Sequence, residues 1–192
     1  MMGKVLNDRY GEKISSEAAR FSYASQLYQE ISILSRSMLE EALTSADYLT
    51  LAGPLALNFT ALCALCVTYT CSSLSGESNK LSTETAAMQA QAVDGLKTVS
   101  KSISELVDRV NKATPLPQDI GRVCPVIMGA MYKAAASYAW MIRENGDESS
   151  QAALESIRHC LRRLGSRWRN AAEYLRLLEA QEFTYAVGSA GC

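Results

Sequence analysis

A single histidine, His159, and only three phenylalanines occur in this chain, and neither sign of charge is in excess. One imidazole, with no paired-carboxylate motif beside it, gives acid–base catalysis little to work with. Nineteen Lys and Arg against 20 Asp and Glu leave a net charge of −1 over 192 residues. That balance argues against a chain built mainly to grip nucleic acid, though it leaves room for a local basic face. Met1 to Tyr10 intersperses charges and lacks an apolar run, so no secretory leader is read there.

What is present is a globular composition, 48% apolar and 20% charged, suited to one domain of ordinary size. Such a chain buries about 70% of the surface its unfolded form exposes and needs no covalent staple. The six cysteines stand at 63, 66, 71, 124, 160 and 192. Four of them fall in helical or strongly apolar patterns, where a thiol acts as a small hydrophobe. The compartment expected from this usage is reducing.

The periodicity is helical throughout, with no convincing strand and no fixed-period repeat. Ile14, Ala18, Phe21, Ala24, Tyr28, Ile31, Leu34, Met38 and Ala42 recur at steps of three and four, predicting a helix over 14–43. Gly53-Pro54 reads as a break, with Pro54 in the first turn of a second helix that runs to about Ser73. A polar linker follows to Thr83, and a third helix covers 83–111. Its seam is Ala92, Leu96, Val99, Ile103, Leu106 and Val110, a short heptad pattern in which Gly95 permits close approach. Pro115 and Pro117 end that helix. A fourth starts near Asp119 or Pro125 and stops at Asn145-Gly146, and Asp147 is read as the cap of the next. A fifth covers 148–164, with Ala152, Leu154, Ile157, Leu161 and Leu164 inward. Gly165 stops it, and Ser166 is read as the cap of a sixth helix reaching about Thr184. The fold expected is all-α, about six helices in one compact domain over 14–186, with 1–13 and 187–192 as flexible termini.

Four features invite a functional reading. Leu51 to Cys71 is 21 residues without a charge, long enough to span a bilayer. However, it contains Gly53, Pro54 and Asn58, and no Lys or Arg cluster flags a flank, so a buried central helix is expected. Cys63-x-x-Cys66 lacks the second ligand pair that zinc needs, and reads as core. His159 and Cys160 are adjacent, about 100° apart on a helix, and cannot face each other as a nucleophile–base pair. Arg158, His159, Arg162, Arg163, Arg167, Arg169 and Arg176 form a basic run. Arginine grips phosphate bidentately, but a solvated helix face is the plainer reading. The heptad seam of the third helix offers a homodimer contact, or simply a core face of a bundle.

One stretch is more particular. Tyr132-x-x-Ala135-Ala136-x-Tyr138-x-Trp140, then Leu154, Ile157, Leu161 and Leu164, then Arg167-Trp168 with Ala171, Ala172, Tyr174 and Leu175, keep a distinctive order and spacing. This resembles the carboxy-terminal part of the regulatory (middle homology) domain of fungal zinc-cluster transcription factors. Ala18-Ala19-Arg20-Phe21 to Leu51-Ala52-Gly53-Pro54 is similar to an earlier part of the same family. The resemblance implies a nuclear, non-catalytic domain without a cofactor, working through protein partners or other domains of a transcription factor. It does not extend to DNA reading, because the six cysteines here have nothing like the spacing of the family's zinc cluster. Arg158, Arg162 and Arg163 are the expected partner-contact residues, and their loss is expected to leave stability unchanged. Phe21, Leu34, Trp140, Leu161, Trp168 and Leu175 are expected in the core. Two rivals stand beside this reading: a membrane-associated protein anchored by 51–71, and a helical small-ligand binder with its pocket between helices.

Overall fold

The computed structural model describes residues 17–44, 48–71, 83–146 and 148–189. Among them are six α-helices, a 3-10 turn and no strand: α1 (Glu17–Thr44), α2 (Tyr48–Cys71), α3 (Thr83–Ala113), the turn Pro117–Arg122, α4 (Val126–Asn145), α5 (Glu148–Gly165) and α6 (Arg169–Ser189). The all-α expectation holds. Of the residues expected to be flexible termini, 187–189 continue α6, and 1–13 and 190–192 lie outside the described residues. The linker at 72–82 and the Asp147 cap also lie outside them.

Two helices organise the rest. The α3 seam is buried as its spacing predicts, from Ala92 through Val99 to Val110, and packs chiefly on α2, with α4 and α5 beyond. The seam is therefore occupied within the chain's own core. α4 packs on α2, α3, α5 and α6. Its small residues Ala130, Ala134 and Ala135 are fully buried, so neighbouring backbones can approach, while Ile127, Met128 and Met131 fill the space beside them. Each large apolar side chain buried this way contributes about 1.5–3 kcal/mol. A hydroxyl pair, Ser104 Oγ and Tyr138 Oη at 3.0 Å, ties α3 to α4.

Several local expectations are corrected. Pro54 does not start α2, which begins six residues earlier at Tyr48 and runs through it. Pro54 is exposed, so the hydrogen bond its missing N–H forfeits lies at the solvent side. Gly53 is needed for close approach instead: a Cβ there would sit 3.0 Å from Cys124 Sγ at the foot of α4. Leu34 is 53% exposed, and Ser35, 4% exposed, takes the inward position. Stepping 28, 31, 34 by threes drifts off a 3.6-residue stripe, whereas 28, 31, 35 follows it. Ser35 tolerates burial because its Oγ donates to Ile31 O at 2.8 Å. Of the other expected core residues Leu161 is fully buried, while Phe21, Trp140, Trp168 and Leu175 are half-buried.

Asp119 belongs to the 3-10 turn, where its Oδ2 accepts from Leu116 N at 3.0 Å, and α4 starts after Pro125. The Asn145-Gly146 stop is as expected, with Gly146 at φ 62° and its N–H donating to Ile142 O at 2.8 Å. Ser166 closes α5 rather than capping α6, its Oγ donating to Arg163 O at 2.8 Å. α6 begins three residues later, after Trp168, whose Nε1 donates to Ile120 O at 3.3 Å and pins the turn to the 3-10 segment.

Candidate functional site

The three arginines expected at a partner surface do not share one. Arg158 is buried at 9% exposure, its Nη1 donating to Glu155 Oε1 at 2.6 Å. α5 packs on α3, α4 and α6, so its buried stripe is wide enough to take in position 158 beside Leu154, Ile157 and Leu161. Arg163 is half-buried and turns toward the end of α3, where Nη1 donates to Asn111 Oδ1 at 2.9 Å and Nη2 to the carbonyl of Thr114. A cation among the last carbonyls of a helix is favourably placed. Arg162 alone of the three is exposed. The expectation that losing all three charges leaves stability unchanged is therefore revised, since two of them are engaged inside the fold.

The rest of the basic run is dispersed as well. Arg169 and Arg176 both pair with Glu173, at 3.8 and 3.4 Å, in exposed geometry worth little. Arg167 lies over the Trp168 ring at 5.9 Å. His159 is exposed and Cys160 buried, so the structure keeps the two apart in orientation as adjacent helix positions require. Cys63 and Cys66 are both buried in α2. Burial pushes the thiols of Cys63 and Cys160 up to about 12, and that of Cys66 up to about 11. Thiols so held are protonated at neutral pH and behave as core atoms. Among the described residues no group of three or more His, Cys, Asp or Glu side chains could hold a metal ion.

The structure does bring together a site that the pattern of single helices does not spell out. α1, α2 and α3 enclose an open groove of about 300 Å³. Its inner wall is Phe21, Ala24, Tyr28, Leu65, Cys66 and Ala92. Its mouth is polar, with Gln29, Gln91, Asp94 and Thr98 exposed and Ser25 half-buried. Gly95 shapes the floor: a Cβ there would meet Cys66 Sγ at 3.0 Å and the Tyr28 ring at 3.4 Å. Two side chains bridge the groove. Tyr28 Oη donates to Gly95 O at 3.3 Å, and Gln91 Nε2 donates to Ser25 Oγ at 3.1 Å. The Tyr28 hydroxyl is pushed above its usual range, first by burial and then by the neighbouring Cys66. The available signal was Gly95 one turn from small Ala92 on α3, opposite the aromatic Tyr28 of α1.

α2 itself, over Tyr48–Thr68, is long and apolar enough to cross a membrane by length and composition, and 44% of that window is buried against the other helices. No family model, curated protein or solved structure matches this chain.

Proposed function

We propose that this chain is a non-catalytic regulatory module of a fungal transcription factor, acting in the nucleus through protein contacts. The observation that carries the reading is how the residues of the resemblance lie together. Tyr132 of α4 stacks on Tyr174 of α6, ring centroids 5.0 Å apart and planes 19° off parallel. Leu154, Ile157, Leu161 and Leu164 fill the space under α5, Ala171 is buried beside them, and Trp168 anchors the turn between α5 and α6. The residues whose order and spacing resemble the family thus belong to one interlocked three-helix unit, and that common placement supports the reading. DNA reading is assigned to no residue of this chain.

On this reading the contacts are made by apolar side chains that α1 and α2 leave exposed. Ile33 is 69% and Leu57 56% exposed, with Leu34 and Val67 also turned outward. Helix faces of this kind are buried against a partner in recognition. The test is a fusion of the whole chain to a heterologous DNA-binding domain in a fungal reporter strain. The expected result is a severalfold change in reporter output relative to the DNA-binding domain alone, lost in Ile33→Asp with Leu57→Asp. Output equal to that of the DNA-binding domain alone would sink the proposal.

A further inference from the structure

We propose that the groove between α1, α2 and α3 is a binding site for a small aromatic amine, its ring inside and its ammonium at Asp94. The inference stands on the groove and does not depend on the transcriptional reading.

Size sets the first limit. About 300 Å³ is the lower end of the range for small-molecule pockets. A two-ring ligand fits that space. Surface chemistry sets the second. The inner wall offers Phe21, the Tyr28 ring, Leu65 and the Cys66 thiol, all faces that favour a flat apolar ring. Tyr28 Oη and Ser25 Oγ lie on that wall and at its mouth, each already engaged across the groove, so they orient a ligand more than they demand one.

Charge sets the third limit. Among the described lining residues Asp94 is the one charged side chain, and no Lys or Arg faces the groove. Its carboxylate is close enough to help raise the Tyr28 hydroxyl above its usual range. A cationic head is attracted at that mouth, a neutral one tolerated, and an anionic one repelled.

The experiment is calorimetric titration of the full chain with three indoles of nearly equal size: tryptamine, 3-ethylindole and indole-3-propionate. The expected order of affinity is tryptamine, then 3-ethylindole, then the propionate. Asp94→Asn is expected to weaken tryptamine about threefold, the worth of one partly exposed charge pair, and to leave 3-ethylindole within twofold. Ala92→Phe fills the groove from α3 and is expected to abolish binding of all three. Ala92 is buried, so this variant endangers the fold; Ser25→Trp closes the half-exposed mouth from α1 and is expected to give the same loss. Absence of saturable heat with tryptamine and 3-ethylindole, as a groove covered by another part of the chain would give, overturns the proposal. So does propionate binding as tightly as tryptamine, or binding that survives Ser25→Trp unchanged.

Discussion

Between α4 and α6 the helices meet through interlocked side chains, Tyr132 stacked on Tyr174 and Gln181 Nε2 donating to Tyr132 Oη at 3.2 Å. Between α1 and α3 they stand apart across a groove that Tyr28 and Gln91 bridge. The same chain thus closes one three-helix set with packing and leaves another open. Closed packing is dense and costly to disturb. The open groove leaves Phe21, Tyr28 and Leu65 half-buried and its polar mouth exposed, while Ala24, Cys66 and Ala92 of its wall are buried. The opening is confined to the meeting of α1 with α3, because α2 and α3 are themselves closely packed in the core.

The sharpest break of this comparison is truncation on each side. Leu161 is fully buried under α5, and Leu161→Ala is expected to cost about 3–4 kcal/mol. Leu65 is half-buried in the groove wall, where removing it widens an existing opening, and Leu65→Ala is expected to cost about 1 kcal/mol. Urea midpoints at constant m-value measure both. Equal losses would mean that the groove is filled and as tightly packed as the rest.

Next in size is the arginine pair. Arg163→Met leaves Asn111 Oδ1 and the Thr114 carbonyl without a donor they now share, at an expected cost of about 2 kcal/mol. Arg162→Met, one residue away and exposed, is expected to stay within about 0.5 kcal/mol. A matched effect of the two would return both to the surface.

Much of the fold was legible because the α3 seam and Leu154, Ile157, Leu161 and Leu164 of α5 are buried as their spacing predicts, although Ala152, expected inward, is exposed, and the Asn145-Gly146 stop has a local chemical cause. The failures share another cause, that tertiary packing overrode a local cue. Pro54 carries a breaker's signal, yet α2 runs through it because its neighbours hold the helix on both sides. Leu34 reads as core, yet it is exposed, and Ser35, satisfied by its own helix, takes the inward position. Arg158 and Arg163 look like a solvated basic face, because one helix read alone does not show that α5 has neighbours on three sides. Gly95 was legible as a point of close approach, but the groove itself was not, since a cavity belongs to three helices at once and to the spacing of none.

The buried thiols sharpen the comparison through pH. Cys63, Cys66 and Cys160 are held well above an ordinary thiol's 9.0 by burial. Each folded value is raised, so stability is full well below pH 9, where both states are protonated. It falls as pH rises further, because the unfolded chain ionises first. By pH 10 each thiol is expected to cost about 1 kcal/mol. Two of the three belong to α2 and one to α5. Replacing Cys63 and Cys66 by Ala should therefore remove more of the alkaline loss than Cys160→Ala. The readout is the slope of the urea midpoint between pH 8 and pH 10, and an unchanged slope in the double variant would show that these thiols ionise freely in the fold.

The smallest effect bears most directly on the contrast between the α4–α6 and α1–α3 contacts. A double-mutant cycle on Tyr132 and Tyr174, each changed to Leu, isolates the stack from the burial that leucine retains. Its coupling energy is expected near 1 kcal/mol, within the range of well-placed aromatic pairs. The matching cycle across the groove, Ser25→Ala with Gln91→Ala, tests an exposed hydrogen bond of 3.1 Å. Water competes there for both partners, and the bond also restrains a long side chain, so the coupling is expected below about 0.5 kcal/mol. If the groove bridge couples as strongly as the aromatic stack, α1 is fastened to α3 as firmly as α4 is to α6, and the openness of the groove is a matter of shape alone. If the bridge couples weakly, α1 can shift against α3 at little cost, and the groove can adjust to what enters it.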